Sequence, residues 1–323
     1  MIATKPLLEV SDLSVEYASD SGPVRAVDQV SLEVAPGEFI GIVGESGCGK
    51  STLLFAIARL LSPPAEVVGG SVRLQGRDLL AMDEEALREI RWRDYSLVMQ
   101  SAMNALNPVL TVGAQLEDTI AAHEPLPSRA ARDRSAALLR MVGIDPVHLK
   151  SFPHQLSGGM RQRAMIAMAL VFTPELVIMD EPTSALDVVA QRSLMLQIKE
   201  LQRKIGFAVL FVTHDMSLVS HFSDRLAVMY AGQIVEVGKT REVFDDPKHP
   251  YTRALLGSFP SITGPRQVLQ GIPGTPPDLA RPPAGCRFHP RCPLVEPRFM
   301  VEVPPVIAIG TRLVRCHLYG RDR

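Results

Sequence analysis

A glycine-rich octapeptide, Gly44–Ser51 (GESGCGKS), is the segment of this chain best suited to bind phosphate. It fits the pattern G-x-x-x-x-G-K-[S/T], in which successive backbone N–H groups surround phosphate oxygens. Lys50 would reach the β- and γ-phosphates of a nucleotide, and Ser51 would place its hydroxyl on Mg²⁺. Cys48 is either a small residue that fits the loop or a thiol whose pKa is lowered by Lys50 and a helix N-terminus. The segment predicts a site for a nucleoside triphosphate.

Two acidic residues, Asp180 and Glu181, directly follow the apolar run Leu176–Met179. The carboxyl ends of parallel strands are where α/β sheets bind ligands. Asp180 would hold Mg²⁺, directly or through water, and Glu181 would orient or deprotonate the attacking water. His214 comes soon after the apolar run Phe207–Val212 and could contact a γ-phosphate. These residues extend the prediction from nucleotide binding to hydrolysis.

Short apolar runs and helical stretches alternate around these motifs. Glu38–Val43 predicts a buried strand, Lys50–Leu61 a helix and Ala164–Phe172 a largely buried helix. Strand–helix–strand order favours a parallel sheet covered by helices, and therefore an α/β fold. The remaining predicted elements are hairpin strands over Leu7–Glu16 and Val24–Val34 and helices over Asp83–Arg91 and Ser128–Val142.

Composition narrows the classes of function. Lys and Arg number 34 against 35 Asp and Glu, so a strongly basic nucleic-acid surface is not indicated. Four cysteines in 323 residues do not indicate a disulfide scaffold. We see no apolar run of about eighteen residues and no signal peptide, so a cytosolic location is expected. Fourteen of the 26 prolines lie from Pro247 onward, which marks a domain boundary near residues 245–260.

The octapeptide Leu156–Arg163 (LSGGMRQR), about twenty residues before Asp180–Asp187 (DEPTSALD), is similar to the signature of one group, the nucleotide-binding subunits of ABC transporters. The resemblance extends from about residue 7 to 260, with all motifs in family order. It implies a P-loop ABC-type nucleotide-binding domain over residues 1–258. That domain would combine a parallel core sheet with helices, an antiparallel β subdomain and a helical insert at about 83–165. Residues 259–323 would form a small C-terminal extension.

The resemblance also implies a role for each matching residue. Tyr17 would stack on adenine, and Gln100 would touch Mg²⁺ or the lytic water and relay to membrane subunits. Glu181, His214 and Gln100 are the implied catalytic residues. The implied Mg²⁺ ligands are Ser51, Gln100 and Asp180. The implied ATP-binding residues are Tyr17, Gly44, Glu45, Ser46, Gly47, Cys48, Gly49, Lys50, Ser51, Thr52, Ser157, Gly158, Gly159 and Asp187.

The signature residues imply that two chains share each ATP. Ser157 and Gly159 resemble residues that contact the γ-phosphate held by the opposite subunit. Gly158 and Gly159 open a helix and so form a second anion site, which the helical insert separates from the chain's own phosphate loop. The implied partners are a second ATPase chain, in a heterodimer, two transmembrane permease subunits and, indirectly, an extracytoplasmic solute-binding protein. Nucleic acid is not an implied partner, and the implied location is the cytoplasmic face of the cell membrane, as a peripheral protein.

Four segments resemble the oligopeptide/dipeptide importer branch more narrowly: Met103–Pro108, His249–Thr252, Gly271–Pro277 and Gly285–Pro293. The expected function is therefore ATP hydrolysis that powers import of dipeptides or oligopeptides. Nickel and oligosaccharides are alternative cargoes within this branch. A soluble ABC ATPase of nucleic-acid repair or translation, and a metal-binding regulatory module with secondary ATPase activity, are alternatives of other classes.

Three cysteines of the extension, Cys286, Cys292 and Cys316, raise the question of a metal. Members of this branch often carry four cysteines there, which can hold an iron–sulfur cluster. Phe299 stands where the family pattern places another cysteine. A cluster would thus need His289, His317 or a non-protein ligand, and zinc is a second possibility. The remaining alternative is a metal-free, proline-stiffened extension that packs on the partner subunit.

Overall fold

The computed structural model describes residues 5–20, 22–100, 105–184, 186–258 and 271–319. The strands in these ranges are β1 (Leu8–Tyr17), β2 (Val24–Val34), β3 (Phe39–Val43), β4 (Ala65–Leu74), β5 (Arg77–Asp78), β6 (Tyr95–Val98), β7 (Leu176–Asp180), β8 (Ala208–Val212), β9 (Arg225–Tyr230), β10 (Gln233–Lys239), β11 (Val306–Ile309) and β12 (Arg312–Arg315). The α-helices are α1 (Lys50–Ile57), α2 (Glu84–Ile90), α3 (Val112–Ala121), α4 (Ser128–Met141), α5 (Gly158–Ala169), α6 (Val188–Ile205), α7 (Met216–Phe222), α8 (Thr240–Asp245) and α9 (Pro250–Gly257).

The chain divides into two compact units. The first comprises Ala35–Glu38 and Ala81–Phe211, together with the residues before Leu8. The second comprises Leu8–Val34, Phe39–Leu80 and the residues from Val212 onward.

The first unit contains parallel strands and five helices. β6 pairs in parallel with β7, and every residue of β7 is buried, as expected for a strand covered on both faces. Oxygen-bearing side chains cap four of the helices at their N-termini and satisfy backbone N–H groups there. The capping residues are Asp83 for α2, Thr111 for α3, Ser157 for α5 and Asp187 for α6.

The second unit contains an antiparallel sheet in the order β2-β1-β4-β5 and a second group of strands in the order β11-β12-β10-β9-β3. In that second group, β3 and β9 are parallel, whereas the pairs β9–β10, β10–β12 and β11–β12 are antiparallel. The hairpin of β11 and β12 belongs to the C-terminal extension, so the extension continues this group of strands beyond β10. Parallel and antiparallel pairs thus give a mixed α/β architecture, as the resemblance implied.

An aromatic cluster joins the extension to the body of the second unit. The rings of Tyr230 on β9 and Tyr251 on α9 lie 4.4 Å apart between centroids. Phe288 of the extension packs against both, with centroid distances of 5.2 Å to Tyr230 and 5.5 Å to Tyr251. All three side chains are almost fully buried. The extension therefore shares a hydrophobic core with the elements that precede it.

The predicted elements are confirmed, with shifted ends. The helix predicted over Ala164–Phe172 begins earlier and ends sooner, as α5. The helix predicted over Lys50–Leu61 ends at Ile57, and Arg59 follows it with a φ of +55°. Three predictions include residues that lie outside the described ranges. These residues are Met103 and Asn104, Ala185 in the segment before Asp187, and residues 259–270 after the predicted domain boundary. In the described part of the chain, no helix combines the length and apolar character needed to cross a bilayer.

Candidate active site

The phosphate loop connects β3 to α1, and two of its glycines are required by close backbone contacts. A Cβ added to Gly44 would lie 2.1 Å from the carbonyl oxygen of Met229. A Cβ added to Gly49 would lie 2.1 Å from the carbonyl oxygen of Ala26, and the φ of Gly49, +104°, is one that side chains disfavour. The loop can therefore pack this tightly only with glycine at both positions.

Lys50 is the first residue of α1, and its side chain is folded into the loop. The Lys50 Nζ donates to the carbonyl oxygens of Gly44 and Glu45, each at 2.9 Å. It also lies 3.7 Å from the sulfur of Cys48. The ammonium is thus held at the centre of a turn whose N–H groups suit phosphate.

Cys48 does not carry the activated thiol that the loop suggested. The residue is only 5% exposed, and burial raises the pKa of its thiol, although Lys50 opposes this shift. A raised pKa leaves a protonated, weakly nucleophilic thiol at neutral pH. The hypothesis of a lowered pKa is therefore wrong, and Cys48 is a small residue that fits the loop.

Two further residues of the second unit, His214 and Tyr17, lie beside the loop or α1. His214 is exposed and lines one cavity together with Gly44, Glu45 and Ser46. The phenol of Tyr17, at the end of β1, lies 3.1 Å from the Thr52 hydroxyl, in the first turn of α1. The predicted residues of this unit therefore gather around one loop and the helix it opens.

Glu45 has two anchors outside the loop. Its backbone N–H donates to the hydroxyl of Tyr251 at 3.0 Å. Its carboxylate accepts two hydrogen bonds from Arg291 of the extension, with Nη1–Oε2 at 2.7 Å and Nη2–Oε1 at 3.0 Å. The loop is therefore attached both to α9 and to the C-terminal extension.

In the first unit, Asp180 and Glu181 lie where β7 ends. Asp180 is 1% exposed, whereas Glu181 is partly exposed and has a φ of +44°, an uncommon value for a residue with a side chain. The Nε2 of Gln100 donates to Glu181 Oε2 at 2.9 Å. The structure thus brings together the predicted Gln100 and Glu181.

The signature segment forms the start of α5. The exposed Ser157 caps this helix by accepting from the backbone N–H of Met160 at 3.3 Å. Gly158 and Gly159 occupy the first turn, so the helix N-terminus is accessible to an anion. Asp187 likewise caps α6, accepting from the N–H of Ala190 at 2.9 Å.

The side chains present include oxygen ligands of the kind that Mg²⁺ prefers, but the extension has no set of four thiolates. In the second unit Ser51 carries a hydroxyl, and in the first unit Gln100 carries an amide and Asp180 a carboxylate. Among the described residues, which include all four cysteines, no group of three or more His, Cys, Asp or Glu side chains is placed to hold a metal ion. The three extension cysteines therefore do not form a metal site in this arrangement.

Phe299 and the histidines explain why the extension does not fit a cluster. The Phe299 ring is buried and stacks on His317 with centroids 4.9 Å apart, so it fills the place expected for a thiolate. The Nε2 of His317 lies 2.8 Å from the carbonyl oxygen of Glu302, and the Nδ1 of His289 lies 3.0 Å from that of Cys286. Burial raises the pKa of Cys316 to about 11 and also raises those of Cys286 and Cys292. Burial thus favours the thiol form of all three cysteines.

Three residues near the predicted sites were given no role by the sequence. Gln162, buried on α5, donates to the carbonyl oxygen of Pro182, one residue after Glu181. Tyr251 and Arg291 hold Glu45 from α9 and the extension. Gln162 belongs to the signature octapeptide, so the motif itself could have indicated it. Arg291 is separated from Glu45 by 246 positions, and no local pattern links the two.

Two family models match this chain. The model described as ABC transporter matches residues 27–184, and the model described as oligopeptide/dipeptide transporter, C-terminal region, matches residues 235–298.

Curated relatives match nearly the whole chain. The dipeptide transport ATP-binding protein DppD of Bacillus subtilis is 46% identical, over 89% of this chain and 87% of its own. The DppD protein of Haemophilus influenzae is 43% identical, over 96% and 95% of the two chains. The oligopeptide transport ATP-binding protein OppD of Bacillus subtilis is 42% identical, over 100% and 91%. Both the cassette and the C-terminal extension are therefore shared with these relatives.

A solved structure agrees with the fold. A dimeric ATP-binding cassette in a post-hydrolysis state, bound to ADP and Pi, aligns with a TM-score of 0.65 at 29% identity. The alignment covers 72% of this chain and 99% of that one.

Proposed function

The chain belongs to the ABC transporter family of ATP-binding proteins and is an ATPase, and from this we propose that it powers the import of dipeptides or oligopeptides across the cell membrane. One observation supports dipeptides or oligopeptides as the class of cargo. The match includes the region described as oligopeptide/dipeptide transporter, C-terminal region, in addition to the ATPase cassette, and relatives named as peptide-transport proteins share both.

The roles of individual residues in hydrolysis are part of this proposal. The phosphate loop and Lys50 bind the β- and γ-phosphates, and Ser51 and Asp180 hold Mg²⁺, which neutralises phosphate charge when bound. Glu181 accepts a proton from the attacking water, and the Gln100 amide orients the Glu181 carboxylate. His214 contacts the γ-phosphate. Tyr17 stacks on the adenine. Asp187, which caps α6, is a further ATP-binding residue.

The partners are also proposed. The accessible N-terminus of α5 at Ser157 supports a composite site in which the signature of one chain completes the ATP site of another. We assign this chain to a heterodimer with a second ATPase subunit, on two transmembrane permease subunits at the cytoplasmic face of the membrane. A solute-binding protein delivers cargo to the permease and does not touch this chain.

The test uses the assembled transporter. The chain is purified with its permease partners and second ATPase subunit, reconstituted in lipid vesicles, and assayed for ATP hydrolysis with its solute-binding protein. A di- or oligopeptide is expected to stimulate hydrolysis several-fold, whereas binding protein without peptide is the control. Stimulation by nickel or oligosaccharides, with indifference to peptides, would keep the ATPase assignment and overturn the cargo class.

A further inference from the structure

Arg291 of the C-terminal extension holds the phosphate loop through a paired, mostly buried contact. Its guanidinium makes a bidentate bond to the Glu45 carboxylate, and the side chains of Arg291 and Glu45 are 5% and 22% exposed. Three further hydrogen bonds keep the guanidinium in place. Nε donates to the carbonyl oxygen of Pro273 at 2.8 Å, Nη2 to that of Ile272 at 3.4 Å, and Nη1 to the hydroxyl of Tyr230 at 3.4 Å. Such a planar, two-point contact fixes orientation as well as distance.

Glu45 places a negative charge in the phosphate loop. It follows the first glycine of a loop that binds a polyanion, and a carboxylate at such a position repels phosphate unless its charge is compensated. Arg291 supplies this compensation, and Tyr251 fixes the Glu45 backbone by accepting from its N–H. The extension therefore influences both the charge and the position of the loop.

The extension is itself anchored firmly enough for this role. Phe288, three residues before Arg291, packs in the aromatic cluster with Tyr230 and Tyr251. Arg287 forms a second buried ion pair, with Asp28 on β2, at 2.8 Å, where both side chains are 11% exposed. Arg287, Phe288 and Arg291 thus attach one short segment of the extension to β2, β9, α9 and the phosphate loop.

From these contacts we propose that Arg291 is a positioning residue for ATP binding: the C-terminal extension neutralises Glu45 and holds the phosphate loop in its binding conformation. This inference rests on ATP binding by the loop and does not depend on the cargo. If the transporter did not import peptides, the role of Arg291 in ATP binding would be unaffected. If Arg291 had no such role, the proposal of peptide import would be unaffected.

The test is a double-mutant cycle on the full-length chain, read by titration with MgATP. Arg291→Gln is expected to weaken MgATP binding about tenfold, because it leaves an uncompensated carboxylate beside the phosphates. Glu45→Gln alone is expected to lose less MgATP affinity than Arg291→Gln, because it removes the carboxylate together with the need to compensate its charge, and it is the reference for the double variant. The double variant should recover to the level of Glu45→Gln, because the charge that needed compensation has been removed.

A merely structural role would give a different pattern. Arg298→Gln is the matched control, since Arg298 is also a paired arginine of the extension, bonded to Glu296 at 3.2 Å and to the carbonyl oxygen of His317. Its MgATP affinity is expected to stay unchanged. Unaltered affinity in Arg291→Gln, an equal loss in the control, or a double variant as weak as Arg291→Gln would each overturn the proposal.

Arg291→Lys provides the same comparison if the glutamine variant does not fold. It keeps the positive charge but loses the two-point contact, so a loss of about threefold is expected. That loss should disappear in the Glu45→Gln background. A loss that persists there would contradict a role through Glu45. In the assembled transporter, Arg291→Gln should raise the KM for ATP more than it lowers kcat.

Discussion

At the scale of single residues, Glu181 combines three features: a carboxylate at the end of a buried strand, a left-handed φ of +44° and a hydrogen bond from Gln100. Backbone strain of this kind costs about 1–3 kcal/mol and persists where the surrounding structure imposes it. Such positions concentrate at functional sites, which agrees with the proposed role of Glu181 in activating water.

Replacing Glu181 by Gln tests that role. The amide can still accept a hydrogen bond from Gln100 but cannot take a proton, so hydrolysis is expected to fall by about 10²–10⁴-fold while MgATP binding remains. Steady-state hydrolysis of the assembled transporter and direct nucleotide titration measure the two effects. Unchanged turnover would refute the assignment.

At the scale of elements, the N-terminus of α5 is the part of the proposed composite site that this chain offers to its partner. Ser157→Arg would place a long, positively charged side chain at the N-terminus of α5, where an anion is proposed to bind. Hydrolysis by the assembled transporter is therefore expected to fall at least about tenfold, whereas the isolated chain should bind MgATP within about twofold of normal. Loss of the chain's own MgATP binding would contradict the two-chain arrangement.

The control for Ser157→Arg is a substitution that removes the N-terminal cap of a different helix. Asp83 caps α2 by accepting from Ala86 N at 2.9 Å, so Asp83→Ala costs about 1 kcal/mol of stability, as the loss of the Ser157 cap does. Asp83→Ala should leave hydrolysis nearly unchanged. A similar fall in both variants would indicate a general loss of stability.

Helix α9 carries a pH-dependent contribution to stability at its first turn. His249 is fully buried, its Nδ1 accepts from the N–H of Tyr251 at 3.0 Å, and burial lowers its pKa to about 3. In the unfolded chain the histidine pKa is about 6.5, so below that value the unfolded state binds a proton that the folded state excludes. The stability is thus complete above pH 6.5 and is lost as the pH falls toward 3.

His249→Asn removes this titration but keeps a side chain that can cap the helix. Between pH 7 and pH 5, the unaltered chain is expected to lose about 2 kcal/mol more unfolding free energy than the variant. Urea unfolding at the two pH values measures the difference. Equal losses in the two proteins would show that His249 does not titrate in this way.

The elements differ in how far the sequence could predict them. The phosphate loop, the acidic strand end and the signature are local patterns, so the sequence predicts each of them without any tertiary contact. Helix α6 was not predicted, although its buried residues Leu194, Ile198 and Leu201 have helical spacing, so a signal was present. Strand β12 alternates in burial, but polar and apolar residues do not alternate in its sequence, because Arg312 occupies an inward position. Contacts such as Glu45–Arg291 depend on the tertiary fold and have no local signature.

At the scale of the whole molecule, Arg312 joins the C-terminal hairpin to the rest of the second unit. Glu236 on β10 is 0% exposed and accepts from the backbone N–H groups of Lys248 and His249, while Arg312 lies 3.8 Å from its carboxylate. Arg312 also donates to the carbonyl oxygen of Glu242 at 3.1 Å. The buried carboxylate therefore depends on a cation supplied by the extension.

Removing that cation should destabilise the entire fold. Arg312→Ala is expected to lower the free energy of unfolding by about 3–5 kcal/mol, because a buried charge loses its partner. Arg241→Ala is the control, since the Arg241 side chain is 93% exposed in its pair with Asp245 and should contribute less than about 1 kcal/mol. Chemical denaturation of the full-length chain compares the two. Similar small losses would mean that Glu236 is satisfied by backbone N–H groups alone.

The pairing of β12 with β10 also bears on how this protein behaves in concentrated solution. β10 is buried at six of its seven residues, so without β12 it would present an apolar strand with unpaired N–H and C=O groups. Such an edge is a template for pairing with other chains. The hairpin covers it and ends in a short, four-residue strand, β11, whose side chains are at least partly exposed. The extension therefore protects the cassette from aggregation, and shortening the chain before Val306 would remove this protection.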